Sequence, residues 1–446
     1  MSLTDKSWPR MTGREEFRFL ADLVFRRSAG DATIVVLHDH HGGTTRFANS
    51  QVIQNVDTRR GTLTVTVSLD GRSGTASTTD FTAGAINNVV AKAEQTARLS
   101  PKDPEYLPPP EQTTFPHRDT ARPETAAAGP ARRLEYANEA IGQCRIENLL
   151  AAGIVSSAHA SAGIAASNGL FAFEERTESR FGVTVQAGEA TGWSAAAHRS
   201  LDHLRIQERT LTAIGKAKRG REFRELPPGR YPVILEPAAV AGLLSWVLWM
   251  LDARDYDKGT SPFTGKLGRR VFSERLTLRN LPDHGDLLGV GFTSEGLPSE
   301  TSTWVDNGTL QQLSYDRFTA LRHGIAVIPT MEAPYLSDSK PAAAKVQDLI
   351  KQADRAILVT NFWYIRVANP SDLTLTGMTR DGTFLVEDGQ IVAPVKNFRF
   401  HESPLRAFAQ LESCTEPAEA VTSETNKALV PAMMIREFNF SSVTRF

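Results

Sequence analysis

The sequence predicts an α+β protein, with an N-terminal α/β region of sheet and helices and a mostly β C-terminal region carrying one apolar helix after its first strand. Three observations predict it. Thr62 to Leu69 alternates Leu63, Val65 and Val67 against Thr and Ser, the period of a half-buried strand. Ala83 to Leu99 instead spaces Ile86, Val89, Val90 and Ala93 along one helical side. Beyond Gly229, short β-rich runs recur between turn signals such as Asn307-Gly308 and Asp388-Gly389, whose residues tolerate positive φ.

Gly13 to Arg27 reads as a helix with Phe17, Leu20, Leu23, Val24 and Phe25 as its apolar side. Ala32 to His38 reads as a strand, after which His38 to His41 enters a turn at Gly42-Gly43. Asp70-Gly71 closes a hairpin after Thr62 to Leu69, and the helix over Ala83 to Leu99 completes an α/β domain over residues 1–100. Residues 101–130 hold eight prolines, which lack backbone donors, so this stretch is predicted to be a linker or surface strap. Residues 131–228 are the remainder of the N-terminal α/β region, predicted as a second layer resting on the first. They comprise a helix over 131–152, strands over 154–160, 169–177 and 179–187, and a helix over 200–218. The C-terminal domain, 229–446, opens with a strand at Arg230 to Leu235 and the apolar helix Pro237 to Leu251. Further strands are predicted at 287–292, 303–306, 356–365, 382–387, 390–394 and 434–440.

The chain of 446 residues is long enough for several cores, and 41% hydrophobic with 23% charged residues is ordinary soluble usage. Lys plus Arg (50) and Asp plus Glu (51) nearly cancel, so the chain lacks the positive excess that gathers nucleic acid. Two cysteines, Cys144 and Cys414, suit a reducing compartment and cannot make a cysteine zinc site. The charged N-terminus and the lack of a long apolar run predict a cytoplasmic protein with no membrane span.

Hydrolytic zinc needs imidazoles and a nearby carboxylate. His38, Asp39, His40 and His41 are the densest group, but neighbours on a strand point to opposite faces. His401-Glu402 has no second histidine in helical register, and Pro404 interrupts it. There is no Gly-x-Ser-x-Gly elbow, and Gly289-Val290-Gly291 lacks the third glycine of a dinucleotide loop. Residue chemistry alone therefore supplies no catalytic set.

Several stretches, in order, resemble the TldD/PmbA family, the so-called modulators of DNA gyrase, and its PmbA (TldE) branch in particular. They are Arg46 to Ser50, Gly229 to Val240 (GRYPVILEPAAV), Gly259 to Phe263, Gly265 to Gly268, Phe362 to Arg366, Thr376 to Gly382, Pro394 to Phe400 and Val430 to Phe438. Catalytic members of the TldD branch carry His-Glu-x-x-x-His on the helix after the first C-terminal strand. In this sequence Ser245, Trp246 and Met250 stand at those places, and Pro237 to Leu251 contains no His or Glu in any register. An indole has no lone pair for zinc, a hydroxyl is a poor ligand and a thioether is too soft for a hydrolytic centre. Cys414 lies too far before Pro431 to match the family's metal-binding cysteine.

The resemblance thus implies no catalytic or metal residue in this chain, and zinc in a TldD-like partner. It further implies a shared chamber in which an unfolded or modified peptide lies as an added strand, with this chain supplying wall and interface. Arg366, Arg380, Arg399 and Asn397 are the candidate peptide-binding residues, the arginines through their fork of donors. The helix bearing Trp246, Leu248, Trp249 and Met250 is either ordinary core or a face for the partner. A stand-alone homodimeric peptide-binding protein is the alternative, and a hydrolase using His38, His40 and His401 is a third.

Overall fold

The computed structural model describes residues 11–220, 222–422 and 427–444. Helix α1 (Arg14–Phe25) buries Phe17, Leu20, Ala21 and Val24, and three strands follow: β1 (Ala32–Ala48), β2 (Gln51–Leu69) and β3 (Arg72–Thr78). Asp70 and Gly71 both take positive φ, 50° and 72°, so the expected hairpin between β2 and β3 closes with a primed turn that matches the strands' twist. Helix α2 (Ala83–Leu99) starts where the Thr82 hydroxyl accepts from the Ala85 N–H at 3.4 Å.

β1 runs straight through His38 to His41 and on past Gly42 and Gly43, which sequence reading had placed in a turn. The two glycines serve close approach. A Cβ on Gly42 would lie 2.5 Å from the Ser157 carbonyl, and one on Gly43 would lie 2.1 Å from the Val56 carbonyl. The first half of β2, residues 51–62, pairs with β1 on one side and has no strand on its other side among the described residues; Ile53 and Val56 are exposed there.

After the proline-rich stretch come α3 (Pro123–Ala126), α4 (Pro130–Ile146), β4 (Leu150–Ala166), β5 (Phe171–Ala187), β6 (Ala190–His198) and α5 (Ile206–Lys218). These do not form a second layer. β4 pairs antiparallel with β1, from Ile34 opposite Ala166 to Phe47 opposite Gly153, so one six-stranded sheet runs β3-β2-β1-β4-β5-β6. β5 is likewise one strand where two were expected. Thr177 and Ser179, which suggested a break, are buried, and their hydroxyls donate to the Arg199 and His198 carbonyls.

The sheet is built from the same unit twice, helix, three meandering strands, helix. Each unit's third strand lies against its last helix at a glycine. A Cβ on Gly74 of β3 would meet Ala93 O and Ala97 N of α2 at 2.2 Å. One on Gly192 of β6 would meet Ala213 O at 2.2 Å and Ala217 N at 2.6 Å on α5. The helices leave two apolar cores, one around Phe17, Val35 and Val65, the other around Phe47, Val183 and Ile214.

The C-terminal region begins with β7 (Gly229–Leu235) and α6 (Pro237–Trp249), then α7 (Ala253–Asp257), β8 (Leu276–Asn280), β9 (Ser302–Asp306), β10 (Thr309–Leu310), α8 (Arg317–His323) and β11 (Pro334–Asp338). It continues with α9 (Val346–Gln352), β12 (Arg355–Asn369), β13 (Thr374–Glu387), β14 (Gln390–Pro394), β15 (Phe398–Glu402), α10 (Pro404–Ala409), β16 (Leu411–Cys414), β17 (Ala418–Ala420), β18 (Ala428–Val430) and β19 (Met433–Val443). Five strands, β12-β7-β19-β15-β13, close on themselves because β13 pairs back onto β12. Closure removes their free edges. Phe362, Phe398, Phe400, Phe438 and Phe440, all nearly inaccessible, pack ring on ring at 4.6–5.6 Å, in one core with α6. A second sheet runs β10-β9-β8-β11-β18-β17.

Residues 287–292, expected as a strand, form an irregular loop, and several of its backbone groups are satisfied by side chains of the N-terminal region. Arg199 donates to the Gly289 carbonyl, Arg118 to the Val290 carbonyl at 2.9 Å, and the Gly291 N–H donates to Glu174 at 2.7 Å. Arg118 lies on the proline-rich strap, which also binds the C-terminal region through Glu105 and Arg254 at 2.7 Å. A second crossing, at Arg224, bridges to Val395. Among the described residues no helix is long and apolar enough to cross a membrane.

Candidate functional site

α6 starts at Pro237 with Glu236 as its N-cap and ends at Met250 as its C-cap. Along it Ser245 donates to the Gly242 carbonyl at 2.8 Å. Trp246 is buried beneath Trp249, which is 70% exposed, with ring centroids 5.3 Å apart. The Trp246 indole N–H has no acceptor among the described residues. The helix is core along Ala239 to Leu244 and again at Trp246 and Val247, and Trp249 is exposed at its C-terminal end.

Elsewhere, His38 and His40 project from one face of β1, and Asp39 and His41 from the other. Asp39 is tied to Arg59 at 2.8 Å and to Thr12, and His41 faces Asp57 at 3.6 Å. His401 sits on the outer side of β15. The Cys414 thiol donates to Asp338 at 2.9 Å; burial first, then that carboxylate, pushes its pKa up. Burial pushes the Cys144 thiol to about 11. Among the described residues no three His, Cys, Asp or Glu side chains come together so as to hold a metal ion.

A cavity of about 750 Å³ lies where α5 and β6 of the N-terminal sheet meet β13 and the loop before β15. Its position follows from β13. At Asp381-Gly382 the backbone takes φ of 55° and 127°, which kinks the strand between its pairing at Arg380 and at Thr383. Gly382 is needed there, since a Cβ would lie 2.7 Å from the Thr360 hydroxyl. The kink buries the Asp381 carboxyl. Burial raises its pKa by more than Arg380, the Thr191 hydroxyl and Lys216 lower it.

Arg380 lies over the Trp363 ring at 4.5 Å, with its Nε 3.5 Å from Asp381. Lys396 also lines the cavity, with its Nζ 5.9 Å from the Phe223 ring. Lys216 is paired with Glu236 at 2.6 Å, which links the cavity to the start of α6.

Of the expected binding residues, Arg380 and Asn397 line this cavity and Arg366 and Arg399 do not. Arg366 stacks on Tyr364 at 4.3 Å and donates to the Ile365 carbonyl, and Arg399 donates to Thr376 at 3.3 Å on the same outward face. The Asn397 side-chain carbonyl accepts from Thr379 and Thr383 at 3.2 and 3.1 Å, so it holds the kink of β13 and has no acceptor lone pair to spare for a ligand of the usual kind. Asp381, Trp363, Lys216 and Lys396 were missed. The Asp381-Gly382 dipeptide was the available signal, a turn pair inside an otherwise β run.

Family models match consecutively along the chain: PmbA/TldA metallopeptidase domain 1 over residues 35–97, the central domain over 123–219 and the C-terminal domain over 228–442. The chain belongs to the PmbA/TldD family. Among family proteins it is 26% identical over 216 residues to a metalloprotease TldD homolog of Buchnera aphidicola, covering 44% of this chain and 43% of that one. It is 24% identical over 226 residues to a metalloprotease of Methanothermobacter thermautotrophicus, covering 48% and 49%. The match thus spans about half the length of these curated relatives. The crystal structure of TldE from Thermococcus kodakarensis shares the fold, with a TM-score of 0.84 at 18% identity over 95% of this chain and 98% of that one.

Proposed function

We propose that this PmbA/TldD-family chain is the metal-free, TldE-like subunit of a two-subunit cytoplasmic metallopeptidase, and that a TldD-like partner holds the zinc. The carrying observation is α6. At the helix where the resemblance implies zinc ligands, Ser245, Trp246 and Met250 offer hydroxyl, indole and thioether, which do not fit a hydrolytic zinc ion. The shared fold with TldE and the relatives named metalloprotease support the same reading.

In this reading the chain's part is to build chamber wall and interface and to hold an unfolded or modified peptide for the partner's zinc. The exposed Trp249 suits contact with neighbouring polypeptide. The cavity beside β13 gives the peptide polar and aromatic surface at the foot of the same helix.

The test is co-expression with a histidine-bearing paralogue, followed by size-exclusion chromatography, metal analysis and cleavage of an unfolded peptide. The expected result is a mixed assembly that contains zinc and cleaves, and a lone chain that does neither. Stoichiometric zinc and EDTA-sensitive cleavage in the lone chain would overturn the proposal.

A further inference from the structure

We propose that the cavity between α5, β6 and β13 binds the free α-carboxylate end of a peptide, with the last side chain laid against Trp363 and Met378. This rests on the peptide-handling reading above and names the part of the peptide that this chain takes.

The charges on the wall are unequal in what they already do. Lys216 has Glu236 at 2.6 Å. Arg380 and Lys396 have no hydrogen-bonded carboxylate among the described residues: the nearest to Arg380 is Asp381 at 3.5 Å, and Lys396 has only the Phe223 ring at 5.9 Å. The Arg380 guanidinium carbon lies 4.5 Å over the Trp363 ring, and its edge of N–H donors is not taken up by a hydrogen-bonded carboxylate among the described residues. Such an edge matches a carboxylate by two parallel bonds, and the Lys396 ammonium on the same lining adds a point charge.

Asp381 does not take up this donor edge: its carboxylate comes no nearer than 3.5 Å to the guanidinium Nε, and burial pushes its pKa above the ordinary carboxylate value. The remaining wall is mixed: Trp363, Met378, Phe223 and Phe384 give it an apolar part, threonines and Asn397 a polar one, and Glu189 adds one carboxylate against the three cations Lys216, Arg380 and Lys396. An anion flanked by an apolar group is therefore the complementary ligand, and about 750 Å³ is within the common range for small-ligand pockets. A bare phosphate fits less well. The described lining supplies no helix N-terminus and no run of convergent backbone N–H groups, the usual phosphate cradle.

The experiment is calorimetric titration of the full chain with N-acetyl-alanyl-phenylalanine, with the corresponding amide, and with inorganic phosphate. The free acid should bind at least about ten-fold more tightly than the amide, because the amide lacks the charge that Arg380 and Lys396 meet. Phosphate should not compete. Arg380→Gln and Lys396→Gln should each erase most of the preference for acid over amide, and Arg380→Lys should keep part of it, with thermal unfolding confirming that each variant is folded. Equal affinity for acid and amide, or displacement of the acid by equimolar phosphate, would overturn the inference. An assembly that forms and cleaves while acid and amide bind alike would reject this inference alone. Preference for the acid in a chain that never pairs with a paralogue would reject the subunit reading alone.

Discussion

Asp381 sits in the left-handed region at φ 55° with its carboxyl buried, and its backbone conformation is one that asparagine also adopts readily. Its folded-state pKa is raised by burial, so ionising it costs stability. Stability is therefore full at pH below the ordinary carboxylate range and is lost as pH rises from that range through the higher folded-state value. Asp381→Asn removes the ionisation without straining the turn. The variant should melt at a higher temperature than the parent at pH 8, and the gap should narrow at pH 4; thermal scans at the two pH values check this.

Asp338 has the opposite sign. Burial would raise its pKa, but the Arg275 pair, the Cys414 thiol and the Lys340 N–H together hold it below the usual value. Its contribution is present above the ordinary carboxylate range and is lost as pH falls. Asp338→Asn breaks a pair whose carboxylate is fully buried while Arg275 keeps some access to water, so a loss of about 2–3 kcal/mol is expected in urea unfolding at pH 7.

At this scale the sequence is legible where side-chain chemistry alone decides. Ser245, Trp246 and Met250 need no coordinates to be recognised as poor zinc ligands. The cavity residues were legible only in part. Arg380 and Asn397 were chosen, but their companions Lys216 and Thr191 come from elements some two hundred residues away, and no local pattern reports such a meeting.

Among the elements, periodicity succeeded where one face is buried. Helix α2 and the alternating second half of β2 lie where their spacing places them. It failed where glycine or buried hydroxyls interrupt a strand, at Gly42-Gly43 and at Thr177 to Ser179, because their role depends on the neighbouring strand or on a tertiary hydrogen bond. The doubled unit was invisible for a related reason. What its halves share is a close approach of strand to helix, and the only residue type demanded is one glycine in each. Gly74→Ala and Gly192→Ala should each destabilise by about 1–3 kcal/mol, since the added methyl meets helix backbone that cannot swing aside. Chemical denaturation of the two variants measures it, and loss at one site with none at the other would argue against equivalent packing.

For the molecule as a whole, the strap matters more than its composition suggested. Its prolines announced an extended path, but not that Arg118 would reach Asp283 at 2.7 Å, the Val290 carbonyl and, at 2.8 Å, the Ser299 carbonyl. Asp283 is largely exposed and adds little, so the two carbonyl bonds carry the effect. Arg118→Ala should lower stability by about 2–3 kcal/mol. It should also speed proteolysis within 282–300, read by mass spectrometry of limited digests.

The first half of β2, paired with β1 on one side only among the described residues, bears on solution behaviour. Residues 51–62 have no strand on their outer flank among the described residues, and Ile53 and Val56 are exposed beside it. A flank of that kind is a template on which another polypeptide can zip, and its own duplicate is the copy always at hand. Concentrated stocks should therefore self-associate through this strip, independently of the cavity, and a lysine at Ile53 should keep them dispersed.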